Sequence, residues 1–302
     1  MSDQLQLQGD FAPSKRGAAL HPANPVLSLL DDFSLEMSGK DQPALQEARD
    51  VIPKGTLVNV TFLGNENLDL RVSTAQSVRE SGFLPVPHIA ARRLQSEAQL
   101  REFLDRLREV GANERVFAVG GDPRSPEGPY QDSLALIRSN LLPEYGVTHV
   151  SIAGYPDGHP DIEEDRLWAA LAAKYVTLAE QGIDVTILTQ FGFDVEPVLR
   201  WIYKVRERGI EARIRIGVPG PAGVKRLLAF AARFGVSSSA SVVKKYGLSL
   251  TNLFGTAGPD RFINSLAEQL DGKGLGQVSL HFYAFGGLQP TGAWIRDFRK
   301  GA

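Results

Sequence analysis

The sequence contains no cysteine. That excludes disulfides, thiolate metal sites and cysteine nucleophiles, and it agrees with a reducing compartment. An excess of either charge is also missing. Lys and Arg number 33 against 35 Asp and Glu, a formal net charge of −2, so nothing points to nucleic acid or an anionic membrane as partner. No apolar run is long enough to cross a bilayer, and the opening MSDQLQLQGDFAPSKRG has no apolar segment behind its charges, unlike a secretory signal. The expectation is a soluble, cytoplasmic protein. Familiar site motifs are absent too: no P-loop, no G-x-S-x-G elbow and no HExxH. The five histidines are scattered, so no metal site is expected. The loop GVPGPAG, Gly217 to Gly223, lacks the G-x-G-x-x-G spacing of a dinucleotide fold and reads as a tight connection.

What is present is a repeating pattern across 302 residues, 43% of them hydrophobic. Residues 1–25 are polar and unpatterned and read as a loose N-terminal arm; 26–302 read as one domain, with no composition shift to divide them. Short β-rich runs alternate with helical stretches. The expected strands are Phe33–Ser38, Leu57–Leu63, Leu84–Ile89, Arg115–Gly120, Thr148–Gly154, Asp184–Phe191, Ala212–Val218 and Gln277–Phe285. Runs such as VFAV and VTILT are apolar on both faces, as buried parallel strands are. The clearest helix is 96–111, with Ser96 as N-cap, Gly111 as stop, and Leu100, Phe103, Leu104 and Leu107 on one face. Others are expected at 162–181 and 195–208, and the serines at 237–239 read as a further helix entry. Eight strand–helix units favour an α/β fold of the closed, parallel (β/α)8 TIM-barrel type, with an open doubly wound sheet as the alternative.

Polar residues recur where these strands end. Glu36, Thr61 and His88 sit near the ends of the first three, and Asp122 follows the fourth; Tyr155 and His159 follow the fifth, and Gln190 and Asp194 bracket the end of the sixth. Each alone has a plain structural reading: Glu36 as a solvated strand end, His88 as a loop histidine, Asp122 as a turn residue before Pro123. In a barrel, however, these ends converge on the single mouth where such folds hold their sites. Acids, an amide that offers both donor and acceptor, and side-chain-free Gly120 and Gly121 suit a flat polar heterocycle.

The runs PVPHIAARRL (Pro85–Leu94), VFAVGGDP (Val116–Pro123), IAGYPDGHPD (Ile152–Asp161) and ILTQFGFD (Ile187–Asp194), with FSLE ending at Glu36 and HFYAFG near the end, together resemble the catalytic barrel of methylenetetrahydrofolate reductases over roughly residues 30–298. The resemblance implies reduction of 5,10-methylenetetrahydrofolate to 5-methyltetrahydrofolate by NAD(P)H, with NADH favoured, through bound FAD. By this likeness Glu36 is the general acid that opens the substrate to a 5-iminium ion, and Asp122 tunes pterin and flavin. Gln190, Asp122 and Phe193 hold the folate, while Thr61, His88, Gly120, Gly121, Asp122, Gly154, Tyr155, His159 and Lys174 border the flavin. The expected partner is a folate, with no nucleic acid and no membrane, and self-association into a homo-oligomer is left open.

The sequence departs from the family pattern in several places. Gly120 stands where an arginine is common, and 162–181 lacks the usual asparagine-and-lysine arrangement. Val224 replaces an aromatic, and Gly286–Gly287 replaces a polar, basic pair. The alternatives are direct hydride transfer from NADH without flavin, a folate-dependent methyl- or formyltransferase barrel, and a non-catalytic binding protein. No long C-terminal extension of the kind that binds S-adenosylmethionine in larger relatives is expected.

Overall fold

The computed structural model describes residues 24–233 and 256–302; the arm at 1–23 and the helix entry at 237–239 lie outside them. Eight parallel strands close into a barrel: β1 Ser34–Met37, β2 Leu57–Val60, β3 Leu84–Ala90, β4 Arg115–Val119, β5 His149–Gly154, β6 Asp184–Phe191, β7 Arg213–Pro219 and β8 Val278–Tyr283. Each pairs with its sequence neighbour, and β8 closes on β1 with Ser34 opposite His281 and Glu36 opposite Tyr283. The closed (β/α)8 barrel is thus as expected, with every strand end within three residues of its expected place and several coinciding.

Alternation along each strand sorts its side chains. Leu35 and Met37 of β1, Val58 and Val60 of β2, and Leu280 and Phe282 of β8 face the surrounding helices and are buried there. Their neighbours Ser34, Glu36, Asn59 and His281 therefore point into the barrel. Midway along it, Val86, Phe117 and Leu188 form a separate apolar plug.

Up to β7 the helices are α1 Pro25–Leu30, α2 Gln42–Glu47, α3 Leu68–Glu80, α4 Glu97–Glu109, α5 Ser133–Arg138, α6 Leu141–Glu144, α7 Glu164–Glu180 and α8 Val195–Glu207. In α4 (Glu97–Glu109) Ser96 Oγ accepts from the Gln99 N–H at 3.1 Å, and Leu100, Phe103, Leu104 and Leu107 are wholly buried. Burying each of these is worth roughly 1.5–3 kcal/mol. The helix ends where Gly111 takes a φ of +65°, a left-handed stop that a β-carbon would disfavour. Helices α7 (Glu164–Glu180) and α8 (Val195–Glu207) follow β5 and β6. After β7, Ala222–Gly223 pairs antiparallel with Thr256–Ala257, so the GVPGPAG loop is a connection tied into a small ribbon. Among the described residues, no helix is long and apolar enough to cross a membrane.

Candidate active site

The barrel mouth gathers side chains from β1, β3, β6, β7 and β8 around one carboxylate. Glu36 Oε2 lies 3.7 Å from His281 Nε2 and 4.0 Å from His88 Nε2. On its far side His281 shares a 2.8 Å hydrogen bond between Nδ1 and Ser34 Oγ. Both imidazoles are deeply buried. Burial lowers the His88 pKa to about 4, with Glu36 opposing and His281 reinforcing the shift, and burial likewise lowers that of His281, again against Glu36. Both rings are therefore neutral at pH 7, and His88 Nε2 and His281 Nε2 have no hydrogen-bond partner. Gaps of 3.7–4.0 Å are too long for direct hydrogen bonds and suit a bridging water or substrate atom.

Aromatic groups wall this centre. The His88 ring stands edge-on to Phe117 at 4.7 Å and that of His281 to Tyr283 at 4.9 Å. Burial, then the charge of Glu36, holds the Tyr283 phenol well above its ordinary range. It stays protonated and donates to the Thr189 carbonyl at 3.1 Å. Thr189 Oγ1 accepts from the Gly217 N–H at 2.8 Å. This junction admits no side chain at 217: a β-carbon there would stand 2.5 Å from the Thr189 oxygen and 2.8 Å from the Tyr283 ring. Beside it the β6–β7 register slips between Leu188 and Phe191, a bulge across Thr189–Gln190 of the kind that re-aims side chains at barrel rims.

The other expected site residues fall into four groups. Thr61, just past β2, is at the mouth, its N–H bonded to the Met37 carbonyl and its buried Oγ1 without a partner. Tyr155 and His159 stand edge-to-face at 5.3 Å and line, with Gly154, a groove of about 710 Å³ between α7 and α8. Burial raises the Tyr155 pKa. Asp122 is on the rim, largely exposed and held by Arg93, whose Nε donates at 2.9 Å. Gly120 has open space where a side chain would be, and Gly121, at φ +91°, turns the chain toward Asp122. Phe193 and Lys174 are both buried. Phe193 is 2% exposed and edge-on to Phe191, two residues before α8. Lys174 is buried halfway along α7; burial lowers its pKa to about 8, with Asp132 at the cap of the next-but-one preceding helix, Ser133–Arg138, opposing.

Sequence reasoning passed over Ser34, His281, Tyr283 and Thr189. A signal existed: in SLE and HFY, alternation puts Ser34 with Glu36, and His281 with Tyr283, on one face.

The groove beyond Tyr155 is rich in carboxylates. Asp157, Glu163 and Glu164 line it, and burial followed by the charge of Asp194 raises the pKa of Asp157. Its cations are engaged, Lys204 with Glu164 at 2.9 Å and Arg200 with Glu196 at 3.7 Å. Trp168 and Trp201 stack across it at 5.9 Å.

Comparisons with known proteins add the following. A family model described as methylenetetrahydrofolate reductase matches residues 42–284. A 5,10-methylenetetrahydrofolate reductase of Pectobacterium carotovorum subsp. carotovorum is 31% identical over 183 residues, 59% of this chain and 58% of that protein. Methylenetetrahydrofolate reductase 1 of Schizosaccharomyces pombe is 30% identical over 122 residues, 38% of this chain and 19% of that protein. The chain thus spans less than two thirds of the length of either relative. Among solved structures, a dihydropteroate synthase (FolP) from Thermus thermophilus superposes with a TM-score of 0.48 at 14% identity, over 89% of this chain and 93% of that one.

Proposed function

Because the chain belongs to the methylenetetrahydrofolate reductase family, we propose that it reduces 5,10-methylenetetrahydrofolate to 5-methyltetrahydrofolate at the barrel mouth, with NAD(P)H as hydride source. The observation that carries this reading is Glu36, at the end of β1, set between two neutral imidazoles whose Nε2 atoms face it without a hydrogen-bond partner. Opening the five-membered ring of the substrate needs a proton on the departing nitrogen, and Glu36 is the acid placed to deliver it. Hydride then adds to the iminium carbon. The proton that Glu36 gives up is replaced from solvent by way of a water in the 3.7 Å gap to His281 Nε2, while Ser34 Oγ fixes the ring through Nδ1. The apolar plug below and the aromatic walls keep bulk water from the iminium ion. By the resemblance to the family, Gln190 is the residue for the pterin ring and Asp122, on the rim, for its edge.

The resemblance to the family implies FAD, and the residues present do not fit it as a resident group. A tightly held dinucleotide needs cations or open helix N-termini for its diphosphate. Here the first turn of α7 already carries Glu164 and Asp165, and α8 is capped by Asp194 and carries Glu196. Lys174, the cation expected to grip the cofactor, is sealed at 7% exposure. A nicotinamide dinucleotide that binds and leaves needs far less grip: millimolar affinity is about −4 kcal/mol, micromolar about −8. We therefore favour direct transfer from the nicotinamide to the folate. NADH is the better donor, since the extra phosphate of NADPH would meet the carboxylates of the groove. Thr61, His88, Tyr155 and His159 then border the nicotinamide and pterin rings.

The test is an absorbance spectrum of the purified protein, followed by NADH oxidation with methylenetetrahydrofolate. A colourless protein that oxidises NADH only when the folate is present is the expected result. A stoichiometric flavin spectrum would overturn the direct-transfer reading. Absence of folate-dependent NADH and NADPH oxidation, with or without added FAD, would overturn the reductase reading itself.

A further inference from the structure

The interior of a (β/α)8 barrel is ordinarily filled by layers of branched apolar side chains down to its N-terminal end. Here that end is hollow. A cavity of about 770 Å³ opens among the first residues of the strands, on the face opposite Glu36. The apolar plug roofs it through Val86 and Leu188, while Asn59, Ser34, Ser151 and Thr186 make its walls polar. Asn59 is 4% exposed, and its Oδ1 has no hydrogen-bond partner. An acceptor buried in this way is costly unless something donates to it.

The charges are unevenly placed. Arg215 is almost wholly buried against the cavity and reaches the Asp32 carboxylate at 2.8 Å, but Arg213 pairs with the same carboxylate. Two guanidinium groups therefore share one acid, and a third, Arg115 of β4, pairs with the exposed Glu114, so three cations meet two acids. The other acids at the opening, Asp184 and Glu211, point outward into solvent, Asp184 beside His149 at 3.3 Å. The inner wall is left cationic and the rim acidic. Water could satisfy Asn59, but it would not offset the surplus cation inside.

We propose that this cavity is a binding site for a small phosphate-bearing anion, separate from the catalytic mouth. Arg115 and Arg215 face its charge, and Asn59 Oδ1 accepts from its hydroxyl. Hydrogen phosphate offers both features and is small enough to pass the rim. The site does not depend on the reaction proposed for the mouth, although Ser34 lines it and also bonds His281.

The probe is inorganic phosphate, added at constant ionic strength against chloride. Thermal unfolding should show a saturable rise of about 3 °C at ten times Kd. The phosphorus resonance should broaden in the presence of the protein. Arg115→Met, which removes an inner-wall cation, and Ser151→Leu, which fills the space without touching charge, should each weaken binding at least tenfold. Neither residue belongs to the Glu36 cluster, so folate-dependent NADH oxidation reports that the barrel remains intact. No saturable shift in the wild-type protein, or an unchanged shift in both variants, would overturn the proposal; loss in either variant supports it.

Discussion

Glu36 owes its surroundings to three strands, with His88 coming from β3. Its own β1 supplies Ser34 two residues earlier on the same face, and β8 supplies His281, to which that serine bonds. Replacing the acid by its amide keeps shape and hydrogen bonding but removes the proton. Glu36→Gln should lower the rate of folate reduction by about 10²–10⁴, with the melting temperature little changed; steady-state kinetics beside a melting curve check both. The histidines give a pH dependence of definite sign. His88 titrates near 4 in the folded protein and about 6.5 when unfolded. Below pH ~6.5 the unfolded chain takes up a proton that the folded one refuses. The stability due to neutral His88 is thus complete above that value and is lost as pH falls towards 4; His281, also lowered, acts in the same direction. Melting temperatures between pH 7 and 4 should fall, and His88→Gln should flatten the slope.

Among the elements, the strands were the most legible in sequence. Parallel strands covered on both faces must be apolar almost throughout, and that leaves runs such as VFAV and VTILT in plain view. Their ends were less so: the run from Leu57 to Leu63 stops pairing at Val60, because Thr61 turns its N–H back to Met37 instead of continuing beside β3. Side-chain direction was legible within a strand but not across the closure. That Ser34 meets His281 follows from the pairing of β1 with β8, and no local pattern announces it. Burial was not legible either: Lys174 lies buried with the charge of Asp132 nearby, and Phe193 lies edge-on to Phe191, in segments that resemble the family. The β6–β7–β8 junction gives an element-scale prediction. Gly217→Ala should push β7 away from Thr189 and Tyr283 and cost about 1–3 kcal/mol of stability. Urea unfolding would measure the loss, and activity should drop with it because Tyr283 flanks the Glu36 centre.

For the whole molecule, the two ends of the barrel differ in what holds them. The mouth end is stitched by side chains that converge on Glu36. The opposite end is stitched by Asp32, which stands before β1 and ties Arg213 and Arg215 of β7 across the intervening β8. Asp32 is nearly half exposed, so solvent screens part of the attraction, whereas Arg215 has little access to water. Asp32→Asn should destabilise the fold by about 1–3 kcal/mol, read by chemical denaturation. It should also tighten phosphate binding in the cavity severalfold, since it frees cationic charge there.

The bond between Ser34 and His281 joins residues 247 positions apart. Contacts of such separation carry a large loop-closure entropy and form late. During synthesis or refolding, earlier strands can associate with their immediate neighbours while Glu36 still lacks the histidine that serves it. Activity should therefore return more slowly than helix content when unfolded chain is diluted into buffer. On the proposed reaction, proton transfer to the folate should await the completed ring of strands, and a barrel seven-eighths assembled should be inactive.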